Sequence, residues 1–280
     1  MDKCLIIANT YKNESLQLAD EIKNFLKERN IKSIILPYSG NTSVTDMENV
    51  SFAISLGGDG TVLFAARLCA PHKIPVFAIN LGEFGFIAGI QPHEWKNRLN
   101  NFLNNTEHID YRNLVSATVF RNNKKIFTSS ALNDVVISAK GSARLVSLDI
   151  QSSGIPFGKF KADGIIIATP TGSTAYSAAA GGPIVDPSLD ALILNPISPF
   201  SLSNRPLVMP STMVIEITLL PSRCEEVILA CDGQVLVDLQ EGDVIKIGKS
   251  EDTVMLVGCN SHLFYSALRS KLNWSGGPHA

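Results

Sequence analysis

The stretch Phe52–Leu68, FAISLGGDGTVLFAARL, decides the reading of the first part of this 280-residue chain. An apolar run of strand character, Phe52–Leu56, enters two glycines, an aspartate and a third glycine, and from Thr61 the pattern takes a helical period. A strand that turns through glycines into a helix exposes backbone N–H groups at the helix N-terminus, where the dipole and the unpaired donors favour an anion. Asp59 is the odd member, because a carboxylate repels such an anion unless it binds a metal or accepts a proton from an attacking hydroxyl. Without that chemistry, Asp59 reads as the cap of a helix beginning at Thr61, and the glycines as a tight turn. The turn has no following Lys-Ser or Lys-Thr and does not match G-x-G-x-x-G, which disfavours ordinary P-loop and dinucleotide-fold chemistry.

Outward from this stretch, CLIIA (4–8) reads as a buried strand and Glu14–Arg29 as a helix with Leu18, Ile22, Phe25 and Leu26 on one face. IKSIIL and IPVFAIN are further strands, and His93–Asn104 is an amphipathic helix. The alternation predicts parallel strands joined by crossover helices. Beyond Tyr111 the texture changes to strands and turns: LVSATVF, the pair Asn122-Asn123, KIFTSSAL, DVVISA, RLVSLDI and then SSG. A second apolar strand, GIIIA, runs into TPTGSTAYSAAAGG, with a turn at Thr171-Gly172 and a short helix over Ser173–Ala180. NPISPFSLSNRPLVMP reads as a Pro- and Ser-rich loop, EVILACDGQVLVDL as a hairpin about Asp232-Gly233, and DVIKIG and TVMLVG as two strands. The expected fold is an α/β N-terminal domain with a parallel sheet over 1–105, against which the tail 262–280 packs back. A β-rich, mainly antiparallel domain covers 106–261.

Twenty-four basic and 26 acidic residues leave a net charge of −2, which argues against broad contact with nucleic acid or an anionic membrane. Small molecules and copies of the chain are the expected partners. The five cysteines, Cys4, Cys69, Cys224, Cys231 and Cys259, form no CxxC pair and no Cys-His cluster of zinc spacing. They read as reduced, mostly buried thiols of a cytoplasmic protein. MDKCLIIANTYKN turns polar too soon for a signal sequence, and no run of about 18 apolar residues occurs. The five histidines, at 72, 93, 108, 262 and 279, fall in no metal-ligand or triad spacing.

SLGGDGTVLFAAR, INLGEFGFIAGI, LNDVVIS, the long KADGIIIATPTGSTAYSAAAGGPIVDPSLDALILNPISPFSLSNRPLVMP and CDGQ occur in that order. In this the chain resembles the NAD kinases from near its start to about residue 265. The GGDG turn alone is weak, since diacylglycerol, sphingosine and phosphofructokinases carry similar turns; the DGIIIATPTGSTAYS block is far more specific.

The resemblance implies phosphoryl transfer from ATP or polyphosphate, with Mg²⁺ or another divalent metal, to the 2′-hydroxyl of the adenosine ribose of NAD, giving NADP. Asp59 would be the general base, Gly58, Gly60 and Thr61 would help hold phosphate, and Phe86 would lie near the adenine. Asn133 and Asp134 fall on a pair that hydrogen-bonds ribose hydroxyls, an amide beside a carboxylate being suited to a diol. Read alone, they are a turn between strands. Asp163 would contact the nicotinamide carboxamide, and Thr174, Ala175 and Tyr176 would face the ligand. Lys161 would lie near the new 2′-phosphate. Taken without the family, Tyr176 is a core aromatic, Asp163 a turn residue and Lys161 a solvated strand end. Asp232 matches a family motif but is accounted for by the hairpin turn and carries no site role. The family also implies a homo-oligomer, dimer or tetramer. Phe64, Phe84 and Ala179 depart from an arginine, a leucine and a serine common in the family. The rival readings are a lipid or sugar kinase sharing the GGDG turn, and a non-catalytic NAD(H) or NADP(H) sensor.

Overall fold

The computed structural model describes residues 3–40, 47–82, 85–141, 145–201, 203–222, 224 and 226–272. The chain divides into two compact units, one formed by the residues up to Arg112 together with those from Thr253 on, the other by Asn113–Asp252.

In the first unit the alternation of strands and helices is as the apolar pattern predicts. Strands β1 (Lys3–Asn9), β2 (Lys32–Tyr38), β3 (Val50–Gly57) and β4 (Val76–Asn80) lie in the order β2-β1-β3-β4, every pair parallel. Helices α1 (Asn13–Lys27), α2 (Asp59–Cys69) and α3 (Trp95–Leu103) connect or follow them. α1 buries Ser15, Ala19, Ile22 and Leu26, while the expected Leu18 and Phe25 are partly buried at the margin of the same core. The small Ser15 and Ala19 let the helix approach β3 closely, and Ser15 Oγ donates to the Leu56 carbonyl at 3.3 Å. β1, β3 and β4 are almost wholly buried, hence their unbroken apolar runs. α5 (Ser261–Leu272) and the last residues of β16 (Val244–Val257) complete this unit, Leu256 and Val257 pairing parallel with Val76 and Phe77.

The second unit is antiparallel throughout. β5 (Ile109–Arg121) and β6 (Lys124–Ala131) form a hairpin whose turn residues Asn122 and Asn123 both have positive φ, 50° and 61°. β8 (Val146–Ser152), β9 (Ile155–Ala162), β13 (Ile215–Leu219) and the first half of β16 form one sheet in the order β9-β8-β13-β16. The other sheet runs β12-β11-β10-β7-β14-β15, from β7 (Asp134–Ala139), β10 (Gly164–Ala168), β11 (Ala191–Ile197), β12 (Leu207–Pro210), β14 (Val227–Cys231) and β15 (Val235–Leu239). Alternate residues of both sheets share one core, among them Val135, Ile137, Ile165 and Ile167 with Leu148, Ile150, Ile215 and Ile217. The outer face of the six-stranded sheet has its own cluster of Val136, Ile166, Ala168, Ile193 and Val185, so β10 is buried on both sides.

Four local readings change. The stretch 195–210 is not one loop, since β11 extends to Ile197 and β12 covers Leu207–Pro210. Its prolines are tolerated because β12 is an edge strand and because β11 loses its β12 neighbour after Leu194, so neither Pro196 nor Pro210 interrupts an interior ladder. DVIKIG and TVMLVG are one 14-residue strand, β16, whose polar middle continues the alternation. β9, an edge strand with most side chains exposed, has too little apolar patterning to be read from sequence. The short helix after the second turn is split by Ala175 into a 3-10 turn over Thr171–Thr174 and α4 (Tyr176–Ala179).

Candidate active site

The glycine turn of the first unit sits at the carboxyl end of β3, the end at which parallel α/β sheets take their ligands. α2 begins at Asp59, two residues earlier than the pattern suggests, with Gly58 as an extended N-cap that offers no side chain. Gly57 has no alternative: a Cβ there would lie 2.2 Å from Thr61 Oγ1. That hydroxyl is buried and accepts a hydrogen bond from Asn9 Nδ2 at 3.2 Å, so Thr61 ties α2 to the end of β1 through its side chain.

Asp59 does not cap its own helix. Its carboxylate reaches forward and accepts three consecutive backbone N–H groups: Phe86 on Oδ2 at 3.0 Å, and Ile87 and Ala88 on Oδ1 at 3.3 and 3.1 Å. The approach requires glycine at 85, where a Cβ would stand 2.2 Å from Oδ1. The same segment is held from its other side by Cys259, whose thiol donates to the Ile87 carbonyl at 2.8 Å. Burial pushes that thiol up to about 12, so it remains a donor. Lys12 Nζ donates to the Leu81 carbonyl at 2.5 Å, and Leu81 N–H donates to the Gly57 carbonyl at 2.9 Å, which puts a cation close to the glycine turn. The Phe86 ring packs 6.3 Å from Phe264, with Lys271 Nζ 5.8 Å from its centroid. Phe64 stacks on Tyr38 at 4.4 Å, an aromatic contact that an arginine would replace by a guanidinium stack. Phe84 lies outside the described residues.

In the second unit a cavity of about 330 Å³ brings together Asn133, Asp134, Ala175, Tyr176 and Asp232. Asp232 repeats the device of Asp59: Oδ1 accepts from Asn133 and Asp134 N–H at 2.7 and 3.3 Å, and Oδ2 from Leu132 N–H at 3.0 Å. The expected hairpin is present, Gln234 N–H closing on the Cys231 carbonyl, and the positive φ of Asp232 and Gly233 turns the carboxylate back toward β7. Asp232 therefore does more than close a hairpin turn: it lines the cavity and holds the backbone of the Asn133-Asp134 pair. Its signal was the aspartate at the first of two positive-φ positions, beside a strand that pairs with the Asn-Asp segment.

Asp134 is buried, and its carboxyl is pushed up to about 7, first by desolvation and then by the neighbouring Asp232. Asn133 Oδ1 is buried without a partner among the described residues. The TPTGSTAY turn is locked onto this pair. Thr169 N–H donates to the Asn133 carbonyl at 2.9 Å, its hydroxyl donates to the Leu132 carbonyl at 2.5 Å, and the same hydroxyl accepts from Gly172 N–H at 3.1 Å. Gly172 is obligatory, since a Cβ would meet the Asn133 carbonyl oxygen at 2.0 Å. Ser173 and Val185 exchange two hydrogen bonds, and Asn195 Nδ2 donates to the Ser177 carbonyl at 2.9 Å. Tyr176 is 47% exposed, which excludes the core-aromatic reading.

The remaining residues lie off this cavity. Thr174 Oγ1 donates to the Thr171 carbonyl, Asp163 occupies the bend between β9 and β10, and Lys161 is exposed on the edge strand β9. Ala179 is exposed at the end of α4. Among the described residues no group of three or more His, Cys, Asp or Glu is arranged to hold a metal, and no helix is long and apolar enough to cross a membrane.

Residues 40–107 match the ATP-NAD kinase N-terminal domain and residues 132–259 the ATP-NAD kinase C-terminal domain. The NAD kinase of Treponema denticola is 52% identical over 277 residues, 99% of this chain and 98% of that protein. The NAD kinase of Geobacter metallireducens is 36% identical over 98% of this chain and 99% of its own. An Archaeoglobus fulgidus NAD kinase solved with ATP superposes with a TM-score of 0.76 at 27% identity, over 95% of this chain and 96% of that one. Yeast NADH kinase solved with NADH gives a TM-score of 0.87 at 24% identity, over 98% and 88%, a likeness of fold. With two GGDG- and TPTGSTAY-bearing regions matched to both halves of one family and relatives aligned end to end, this chain belongs to the NAD kinase family.

Proposed function

We propose that the chain phosphorylates NAD with ATP at the 2′-hydroxyl of the adenosine ribose. The observation that carries this reading is the Asn133-Asp134-Asp232 cavity. It offers an unpartnered amide oxygen and a desolvated carboxyl near neutrality, held by backbone bonds and able to donate to and accept from a sugar diol. A carboxylate accepts about four hydrogen bonds, and Asp59 spends three on the 86–88 backbone, which fixes its position and leaves one acceptor direction on Oδ2. In the proposed step the ribose oxygen forms a bond to the terminal phosphorus of ATP and the bond from that phosphorus to the bridging oxygen breaks. ADP leaves, and the hydroxyl proton passes to Asp59 as the new bond develops. Gly58 and Gly60 let phosphate approach the start of α2, and Lys12 supplies positive charge.

Mg²⁺ keeps several waters and binds through substrate phosphates. The one acceptor direction left on Asp59 is needed for the proton, so the ion would be held by the phosphates of ATP and by water, and it would neutralise charge on the transferred group. Lys161 and Asp163 complete the dinucleotide contacts in this reading, and the working form is a cytoplasmic homo-oligomer.

The test is NADP formation by purified protein with Mg²⁺, NAD and ATP, beside Asp59→Asn. Removing one positioned base lowers turnover by roughly 10²–10⁴-fold while NAD binding persists, and the melting temperature falls with the transition still cooperative, because the Asn amide nitrogen faces at least one of the N–H groups that the carboxylate accepts. Wild-type turnover in the variant would remove Asp59 from the mechanism, and absence of NADP from the wild type would overturn the activity itself.

A further inference from the structure

A second concavity lies at the opposite end of the parallel strands from the glycine turn, where the last turns of α1 meet the starts of β1 and β2. Its volume is about 640 Å³, and its lining includes Lys23, Lys27, Asn30, Ile31, Lys32 and Ile34. Lys23, Lys27 and Lys32 make no ion pair among the described residues, whereas the neighbouring Lys3 is engaged, donating to the Glu48 carbonyl at 3.2 Å. Among the described residues no acidic side chain lines the cavity.

The carbonyl end of α1 accounts for a cation at Lys27 in its last turn. It does not account for Lys32, which comes from a different element, nor for Lys23 one turn before Lys27, since like charges four apart on a helix repel. Lys23, Lys27 and Lys32 are exposed and line one concavity without an ion-pair partner among the described residues, so an anion there would relieve their mutual repulsion, and a single phosphate would leave most of this volume empty. Ile31 and Ile34, the latter 48% exposed on the edge strand β2, add an apolar wall of the kind that receives a nucleobase. We propose that this cavity binds a chain of two or three phosphates, at a site separate from the glycine turn and independent of the catalytic reading.

The test is backbone amide shift mapping of the full-length protein in about 0.15 M salt, where loose surface attraction is screened. Adenosine diphosphate and inorganic tripolyphosphate are titrated separately. The amides of Lys27, Ile31, Ser33 and Ile34 report on this cavity, and those of Gly60 and Phe86 on the glycine turn. Saturable shifts at the cavity amides are expected. Tighter binding of the diphosphate identifies a nucleotide, and equal or tighter binding of tripolyphosphate identifies inorganic polyphosphate. The combined variant Lys23→Gln, Lys27→Gln, Lys32→Gln is expected to lose about tenfold or more in cavity affinity while shifts at Gly60 and Phe86 and NADP formation persist. Cavity amides that do not move, that move without saturating, or that respond equally in the variant would overturn the proposal.

Discussion

Asp59 and Asp232 solve one local problem in two unrelated settings: each uses a carboxylate to gather three successive N–H groups that neither a helix nor a sheet ladder satisfies. Truncating Asp232 to alanine leaves those donors without acceptors and is expected to cost about 2–4 kcal/mol, read as a lowered urea midpoint with NAD affinity lost in parallel. Asp134 acts in the other direction. Its folded-state carboxyl is pushed up to about 7, above its ordinary 3.8, so the folded chain holds this proton more tightly than the unfolded one. The associated stability is fully present below the ordinary carboxylate range and is lost as pH rises through about 7. Asp134→Asn removes that penalty, so its melting temperature is expected to exceed wild type at pH 8 by on the order of 5 °C and to converge with it near pH 4. A difference that stays constant with pH would assign the effect to packing. Of these residues, Asp59 is marked by its own turn, a carboxylate among glycines at a helix start, whereas Asn133 and Asp134 read alone as a turn and are singled out only by the family resemblance. The partners that hold them lie far along the chain, 27 to 29 residues for Asp59 and 98 to 100 for Asp232, and no periodicity reports such pairings.

The turn that follows β10 shows how much of an element's identity is imposed by its neighbours. TPTGSTAY has weak helical character by itself, and it is fixed by Thr169 on Leu132 and Asn133 and by the contact between Gly172 and the Asn133 backbone. Gly172→Ala forces a methyl group into backbone atoms that cannot yield. It is expected to destabilise the second unit by about 3 kcal/mol or more, with disturbed amide resonances along β7. The buried strands β1, β3, β4 and β10 could be read directly, since burial on both faces leaves an unbroken apolar run. β9 and β12 could not, because an edge strand needs only half of that signal and tolerates proline, glycine and charge. The charged middle of β16 was mistaken for a break for the same reason: alternation with half-exposed side chains gives it no apolar run.

The chain crosses the boundary of its units twice, inside β5 and inside β16, and this makes the two halves unequal as folding problems. Asn113–Asp252 is continuous and carries both sheets of its own core, so expressed alone it is expected to give a cooperative thermal transition and a β-rich circular dichroism spectrum. Residues 1–112 alone lack the end of β16 beside β4, and they lack α5, whose Leu263, Phe264, Ala267 and Leu268 are buried. They are expected to melt without a sharp transition, and addition of a peptide covering 253–272 should restore one. The same discontinuity sets an order of events on the ribosome. Domains ordinarily become native in the order in which they are synthesised. Here the segment made first must wait for the one made last, so the nascent protein passes through a stage in which its middle is already native while its beginning is not. Chaperone contact during synthesis should therefore concentrate on the glycine-turn half.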